Sequence, residues 1–432
     1  MKKHTTAAGR FYPSYRNELT NLIADYKKEG IKYHSRAIIV PHAGYAYSGK
    51  LAASGIQHLK PDAKNIFIFA PAHYERIFGC VVCDYEAFKT PLGDVEVNKD
   101  LSKEIAEFCD CNINNYAFEN EHAIEVLLPF IKTYLPDAKI VPVLYGCENF
   151  KNLAETIEHF YEDDENVFVI SSDLSHFYPE KEASKIDMYT AKMIEENNVR
   201  DFEIEQACGA VGICGLVEFA KKNKFSLIRN GLTNSAAATG DSSRVVGYGS
   251  WFLYEGEKNQ YIKEYYSDFV IDFCKKSILS GLQLGEYDLN KYDCVFEEAG
   301  ACFVTIELDG ILRGCIGSTI AHRPLIEDLR INAHAAAFSD PRFPALTINE
   351  YDKIKIKVSL LSKPERTTFD EIKAGKDGVI IRDGLHKAVF LPDVWEQLPD
   401  KQGFFAALLQ KAGLNDFTET LEVFKFNTTR IN

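Results

Sequence analysis

Ala37-Ile38-Ile39-Val40-Pro41-His42-Ala43-Gly44-Tyr45 is an unbroken apolar run that empties into a short loop carrying histidine. The pattern recurs. Ile66-Phe67-Ile68-Phe69 leads into Ala70-Pro71-Ala72-His73-Tyr74, and Val167-Phe168-Val169-Ile170 leads into Ser171-Ser172-Asp173-Leu174-Ser175-His176. Runs that are apolar at every position, not at alternate ones, predict strands covered on both faces, as in a parallel sheet. Open α/β sheets bind ligands just beyond the carboxyl ends of their strands. The three loops therefore deliver imidazoles to the edge where such folds do their chemistry.

Around these strands the first 254 residues alternate strand and helix. Residues 17–28 place Leu19, Leu22, Ile23 and Tyr26 at helical spacing, and 126–135 and 153–161 do the same. Lys139-Ile140-Val141-Pro142-Val143-Leu144 reads as a further strand and 245–254 as a closing one. This βα order predicts a mostly parallel sheet flanked by helices. Glu255-Gly256-Glu257-Lys258-Asn259-Gln260 is polar throughout and reads as a linker over 255–260. From 261 to 432 the texture is α+β. Residues 261–282 and 325–338 read as helices, 354–361 as a half-exposed strand, and 302–308 with 311–313 as a hairpin turning on Asp309-Gly310.

Length and composition narrow the class. A chain of 432 residues exceeds one ordinary core, and 46% hydrophobic with 12% aromatic residues is ample for burial. No apolar run approaches the ~20 residues a bilayer needs, and the basic start Met1-Lys2-Lys3 lacks the apolar stretch of a signal peptide. A soluble, cytoplasmic protein is expected. A net charge of −14 argues against nucleic acid as a partner.

The 11 cysteines are scattered through apolar segments, as reduced thiols would be. Cys80 and Cys83 form a CxxC, but in a strand they point to opposite faces and cannot grip one metal. Cys109 and Cys111 make no better case.

His34, His58 and His159 read as ordinary core or loop residues. His42 and His73 differ: each follows a strand between proline and small residues, which stiffen the loop and leave room for a substrate. His176 joins them, with Asp173 three residues earlier as ligand, general base or orienting group. Cys208 lies in Ala207-Cys208-Gly209-Ala210-Val211-Gly212-Ile213-Cys214-Gly215, where it approaches a metal or, with Cys214, packs a glycine-rich helix start. In Glu121-His122-Ala123-Ile124-Glu125, a helix would put both glutamates on one face, with His122 as general acid or base or as a helix cap.

These motifs, with Ala8-Gly9-Arg10-Phe11-Tyr12-Pro13, Thr90-Pro91-Leu92-Gly93, Leu128-Pro129 and Val246-Gly247-Tyr248, resemble the Memo family in order over residues 1–254. That resemblance implies an α/β scaffold like that of the extradiol ring-cleaving dioxygenases, which hold non-haem Fe(II). It also implies a metal site of two histidines and a cysteine, falling here on His42, His73 and Cys208, with Asp173 and His176 lining the pocket. Cys214 falls where the family uses no cysteine.

Residues 261–432 resemble the AMMECR domain through Leu312-Arg313-Gly314-Cys315-Ile316-Gly317, Arg323-Pro324-Leu325, Asn332-Ala333-His334-Ala335-Ala336-Ala337-Phe338, Asp340-Pro341-Arg342-Phe343-Pro344-Ala345-Leu346, Phe390-Leu391-Pro392-Asp393-Val394-Trp395 and Lys411-Ala412-Gly413-Leu414. The two modules accompany a radical S-adenosylmethionine enzyme in the AmmeMemoRadiSam system, so the chain resembles its B and A components fused. That enzyme's three-cysteine motif is absent here. Cys315, between two glycines and near Arg313, reads as a nucleophile or anchor, or as a small strand residue at a bend. Arg342 reads as an anion holder or as the partner of Asp340.

The expectation is a metal-dependent oxidoreductase. His42, His73 and Cys208 would bind Fe(II), or Cu or Zn in its place, and a small-molecule substrate would take the open positions. His176 and His122 would move protons and Asp173 would orient His176 or complete the shell. A hydrolase on Zn²⁺ and a non-catalytic module that binds the radical enzyme are the alternatives.

Overall fold

The three apolar runs become the strands Ala37–Val40, Asn65–Pro71 and Asn166–Ser171, buried at every residue. The structure is a computed structural model that describes residues 1–146, 149–200, 202–284 and 291–432. Asn166–Ser171 lies between the other two and parallel to both, with Phe168 level with Ala37 on one side and Phe67 on the other. Lys139–Tyr145 adds a fourth parallel strand beyond Asn65–Pro71. Four carboxyl ends therefore share one edge.

The margins depart from the expected parallel order. Val245–Tyr254 runs antiparallel to Ala37–Val40 and carries Ser226–Asn234 and His176–Tyr178 antiparallel on itself. At the far side Cys80–Val82 is antiparallel to Lys139–Tyr145, and Asn112–Ile113 follows parallel to Cys80–Val82. These nine strands form a mixed sheet, parallel through its four central strands and again between the two at its far edge. The reason lies in the connections: Ser226–Asn234 turns into Val245–Tyr254 as a hairpin, which needs no crossover helix.

Helices Phe150–Phe160 and Ala210–Asn223 bury Leu153, Ile157, Ile213 and Leu216 in the core that covers one sheet face. The first begins three residues before the hydrophobic pattern suggests. The Asn149 side chain accepts from the Lys151 N–H and caps it. Residues 121–124 are not helical. A 3₁₀ turn at Glu125–Leu127 leads into Leu128–Tyr134, so Glu121 and Glu125 do not share a helix face. The backbone instead wraps around the Glu121 carboxylate.

The chain divides into units Met1–Lys258 and Asn259–Asn432. Helix Lys258–Gly281 begins inside the stretch read as linker, because the polar run at 258–260 supplies its first turn. The second unit holds two four-stranded antiparallel sheets with helices Leu325–Phe338 and Lys401–Ala412, an α+β arrangement. Asp309 and Gly310 take φ of 54° and 79°, the left-handed pair a tight hairpin requires. Among the described residues no helix is long and apolar enough to cross a membrane.

Candidate metal centre

His42 follows Ala37–Val40 by two residues, His73 follows Asn65–Pro71 by two, and Asp173 follows Asn166–Ser171 by two. Because those strands are parallel neighbours, the loops meet. The His42 and His73 rings are 5.2 Å apart between centroids, and His122 stands 5.5 Å from His42 and 4.8 Å from His73. One ring nitrogen from each of the three lies within 4.8 Å of the other two.

Which nitrogens are available follows from donor and acceptor counting. Ser171 Oγ donates its single proton to the Ala123 carbonyl at 2.7 Å. It can therefore only accept from His42 Nδ1, 2.8 Å away, which puts the ring proton on Nδ1 and the lone pair on Nε2. Glu121 Oε1 accepts from His73 Nδ1 at 3.0 Å, with the same consequence. His122 Nδ1 sits 3.3 Å from that oxygen. The Glu121 carboxylate also accepts from the backbone N–H groups of His73, His122 and Ala123. Burial opposes its charge, but bonds from His122 and His73 outweigh burial and hold the carboxyl well below the usual range. One buried carboxylate thus orients two imidazoles, as carboxylates behind metal-binding histidines do.

Burial, with His73 and His122 alongside, holds His42 well below the ordinary histidine value and so neutral, the form a metal needs. Cys208 Sγ is 3.4 Å from His42 Nε2 and accepts from the Asp173 N–H at 3.3 Å. Burial, then the Asp173 charge, pushes this thiol up, so a thiolate here requires a cation. Asp173 Oδ1 accepts from the His42 N–H at 2.9 Å, and Oδ2 lies 4.0 Å from His42 Nε2. Burial raises the Asp173 carboxyl to about 7. His176 is half-buried, and burial lowers it from the ordinary histidine value.

The three ring nitrogens form a group that could hold a cation, a group that includes His122 and does not include Cys208. Ligands at about 2.0–2.1 Å for imidazole and 2.3 Å for thiolate around one tetrahedral ion stand roughly 3.5 Å apart. The His42–Cys208 separation is of that size.

His122 does not cap the following helix. Its ring stacks on Phe11 at 4.5 Å, and the chain at Leu127 enters the helix without a side-chain cap. Cys214 packs into the core, and Gly209, Gly212 and Gly215 permit close approach of Ser172, Tyr145 and Leu153. His58 stacks on Phe252 and His159 on Phe108, both ordinary packing roles. The supporting roles of Phe11, Ser171 and Glu121 were not readable from sequence, since each acts on a partner far away in the chain; the adjacency of Glu121 to His122 was the one local signal.

In the second unit the charge beside Cys315 is Arg342, not Arg313. A β-bulge leaves Arg313 without a cross-strand partner between Leu312 and Gly314 and breaks the alternation that would put it on the Cys315 face. Arg313 turns to Glu350, with Nε–Oε1 at 2.8 Å, and to the Pro344 carbonyl. Arg342 pairs with Asp340 at 2.7 Å and donates to the Cys315 carbonyl, so it is the aspartate's partner. Cys315 Sγ lies 3.2 Å from Thr305 Oγ1. The flanking glycines serve packing: a Cβ on Gly314 would lie 2.0 Å from the Ala336 carbonyl oxygen, and one on Gly317 would lie 2.3 Å from the Phe303 ring.

Residues 3–252 match the family model described as Memo-like protein, and residues 271–431 match that described as AMMECR1. A "MEMO1 family protein" of Aquifex aeolicus is 31% identical over 261 residues, 57% of this chain and 97% of its own length. One of Methanococcoides burtonii is 34% identical over 266 residues, again 57% and 97%. The crystal structure of an uncharacterized protein from Pyrococcus horikoshii aligns at 29% identity, covering 38% of this chain and 89% of its own, with a TM-score of 0.36.

Proposed function

The chain belongs to the Memo-like protein family, carrying an AMMECR1 module after it, and on that premise we propose that its first unit is a metal-dependent oxidoreductase. The scaffold is taken as dioxygenase-like and the resident ion as non-haem Fe(II), with Cu or Zn able to replace it. His42, His73 and Cys208 hold the cation, and His122 is a fourth donor or a proton carrier. The observation that supports this most is the convergence of three ring nitrogens within 4.8 Å, with a thiol 3.4 Å from one of them.

Such a cation supplies Lewis acidity and, as iron, an electron for a small oxygen- or nitrogen-bearing substrate. The chain's own groups do the rest. Asp173, with its carboxyl near 7, exchanges a proton at neutral pH beside His42. His176 and His122 carry protons between that carboxyl and solvent. Phe11 walls one side of His122 against water. The pairing of the two modules supports action in the cytoplasm with a radical S-adenosylmethionine enzyme, Cys315 of the second module serving as anchor or nucleophile.

Dioxygen uptake by the full chain loaded anaerobically with Fe(II), in the presence of the partner enzyme's product mixture, tests the reading. Uptake lost in His73→Ala is expected. Turnover without dioxygen, restored by Zn²⁺ alone, would overturn it in favour of hydrolysis. Partner binding that is indifferent to metal, with no turnover, would leave a binding module.

A further inference from the structure

Helix Glu180–Glu195 buries an aspartate that the proposed function does not use. Asp187 lies in the middle of that helix and is 3% exposed. Burial raises its carboxyl to about 6 against the opposing bond from Ser175, so the charge has given up water for little in return. Oδ1 accepts the Ser175 N–H at 3.0 Å. Oδ2 lies against Gly247, where a Cβ would run into it. The glycine of Val246-Gly247-Tyr248 is therefore the space that Asp187 occupies. Gly247 also grips the same loop from the strand: its N–H donates to the Ser175 carbonyl and its carbonyl accepts from the Leu174 N–H, both at 2.8 Å. Ser175 is thus held through both of its backbone polar groups, the N–H by a helix and the carbonyl by a strand. The residues around it are those the proposed function uses. Asp173, two before, accepts the His42 N–H at 2.9 Å, and His176 comes next. Beyond His176 the pairing with Val245–Tyr254 slips its register, and Phe177 takes φ of 65°. A bulky residue in the left-handed region persists only where its surroundings over-determine it.

We propose that Asp187 is a positioning residue of the histidine centre, one that sets, through Ser175, the loop carrying Asp173 and His176. The proposal rests on the reading of that centre as a metal site whose protons pass through those two groups. A buried carboxylate is a poor device for stability alone, because apolar side chains often replace buried ions without loss. What it supplies is direction. A charged oxygen fixes one N–H at one place, whereas apolar packing would let the loop slide. The tie from Asp187 at Ser175 and the tie from Asp173 to the His42 backbone hold the loop at two points, and the strained Phe177 follows directly after. His42, His73 and Cys208 come from other segments, so Asp187 acts on the groups that move protons more than on those that hold the cation.

The test uses the full chain with Asp187→Ala and Asp187→Asn; the amide of the second keeps an oxygen for the Ser175 N–H. In Asp187→Ala the Ser175 amide should lose protection from hydrogen exchange by about tenfold or more, and in Asp187→Asn it should keep most of it. The His176 ring, followed by NMR, should titrate closer to an ordinary histidine in Asp187→Ala, because burial is what lowers it, and stay in place in Asp187→Asn. Gly247→Ala, which drives a methyl group onto Oδ2, should reproduce the Asp187→Ala result. Fe(II) affinity, measured by chelator competition, is a separate arm. An unmutated chain that binds no iron overturns the metal reading and this proposal with it. Iron bound equally by every chain, with His176 unmoved in Asp187→Ala, overturns this proposal alone. A His176 titration that shifts as far in Asp187→Asn as in Asp187→Ala would overturn it too, since the acceptor is still there.

Discussion

Glu125→Ala is expected to destabilise the first unit by about 3–5 kcal/mol, read as a shift in the midpoint of chemical unfolding. Glu125 is 1% exposed and closes an ion pair with Lys3, itself 3% exposed, at 2.7 Å. Its carboxylate also accepts from Thr6 N, Thr6 Oγ1, Ala7 N and Tyr12 OH. Truncation leaves a buried ammonium and several donors without partners. Lys3→Met in the same assay should cost less, because the carboxylate keeps its other four donors. Burial alone would raise the Glu125 carboxyl, but the Lys3 charge and the N–H donors outweigh burial and lower it. The lowered carboxyl stabilises the fold fully above the ordinary glutamate range, and that stability is lost as pH falls through the depressed value. The variant should show a shallower acid limb. The effect reaches the site, since Tyr12 adjoins Phe11, which packs on His122 and accepts from the Tyr45 N–H.

Glu121→Gln is expected to weaken metal binding about 10–100-fold while leaving unfolding less affected than Glu125→Ala does. The amide retains one oxygen, whereas the carboxylate serves His73 Nδ1, the neighbourhood of His122 Nδ1 and three backbone N–H groups. An NH₂ turned toward either imidazole meets a donor with a donor. The ring then rotates or changes tautomer, and a lone pair leaves the cation. Competition titration against a chelator measures the loss. Unchanged affinity would mean that the carboxylate serves the loop alone.

What the amino-acid order made legible was local. Continuous apolar runs at 37–40, 66–69 and 167–170 foretold fully buried parallel strands, and Asp309-Gly310 foretold its turn. Helix 325–338 and strand 354–361 fall where their patterns end. Periodicity cannot report pairing between distant segments. Hence the antiparallel margins were missed, as was the switch of Arg313 to Glu350 that leaves Arg342 beside Cys315. Residues 121–124 misled because two carboxylates four apart mimic a helix face, while their real partners are imidazoles and the chain's first residues. His42, His73, His176 and Asp173 were singled out because their strands end where they do. Ser171 and Phe11 were not, because hydroxyls and rings are common and only the fold says what they face.

The most direct measurement is X-ray absorption on the full chain loaded with one equivalent of Fe(II) without oxygen. The account predicts imidazole nitrogen and one sulfur in the iron's coordination shell, with the nitrogen signal reduced in His42→Ala and the sulfur lost in Cys208→Ser. An iron shell without imidazole, or one unchanged by either substitution, would contradict it.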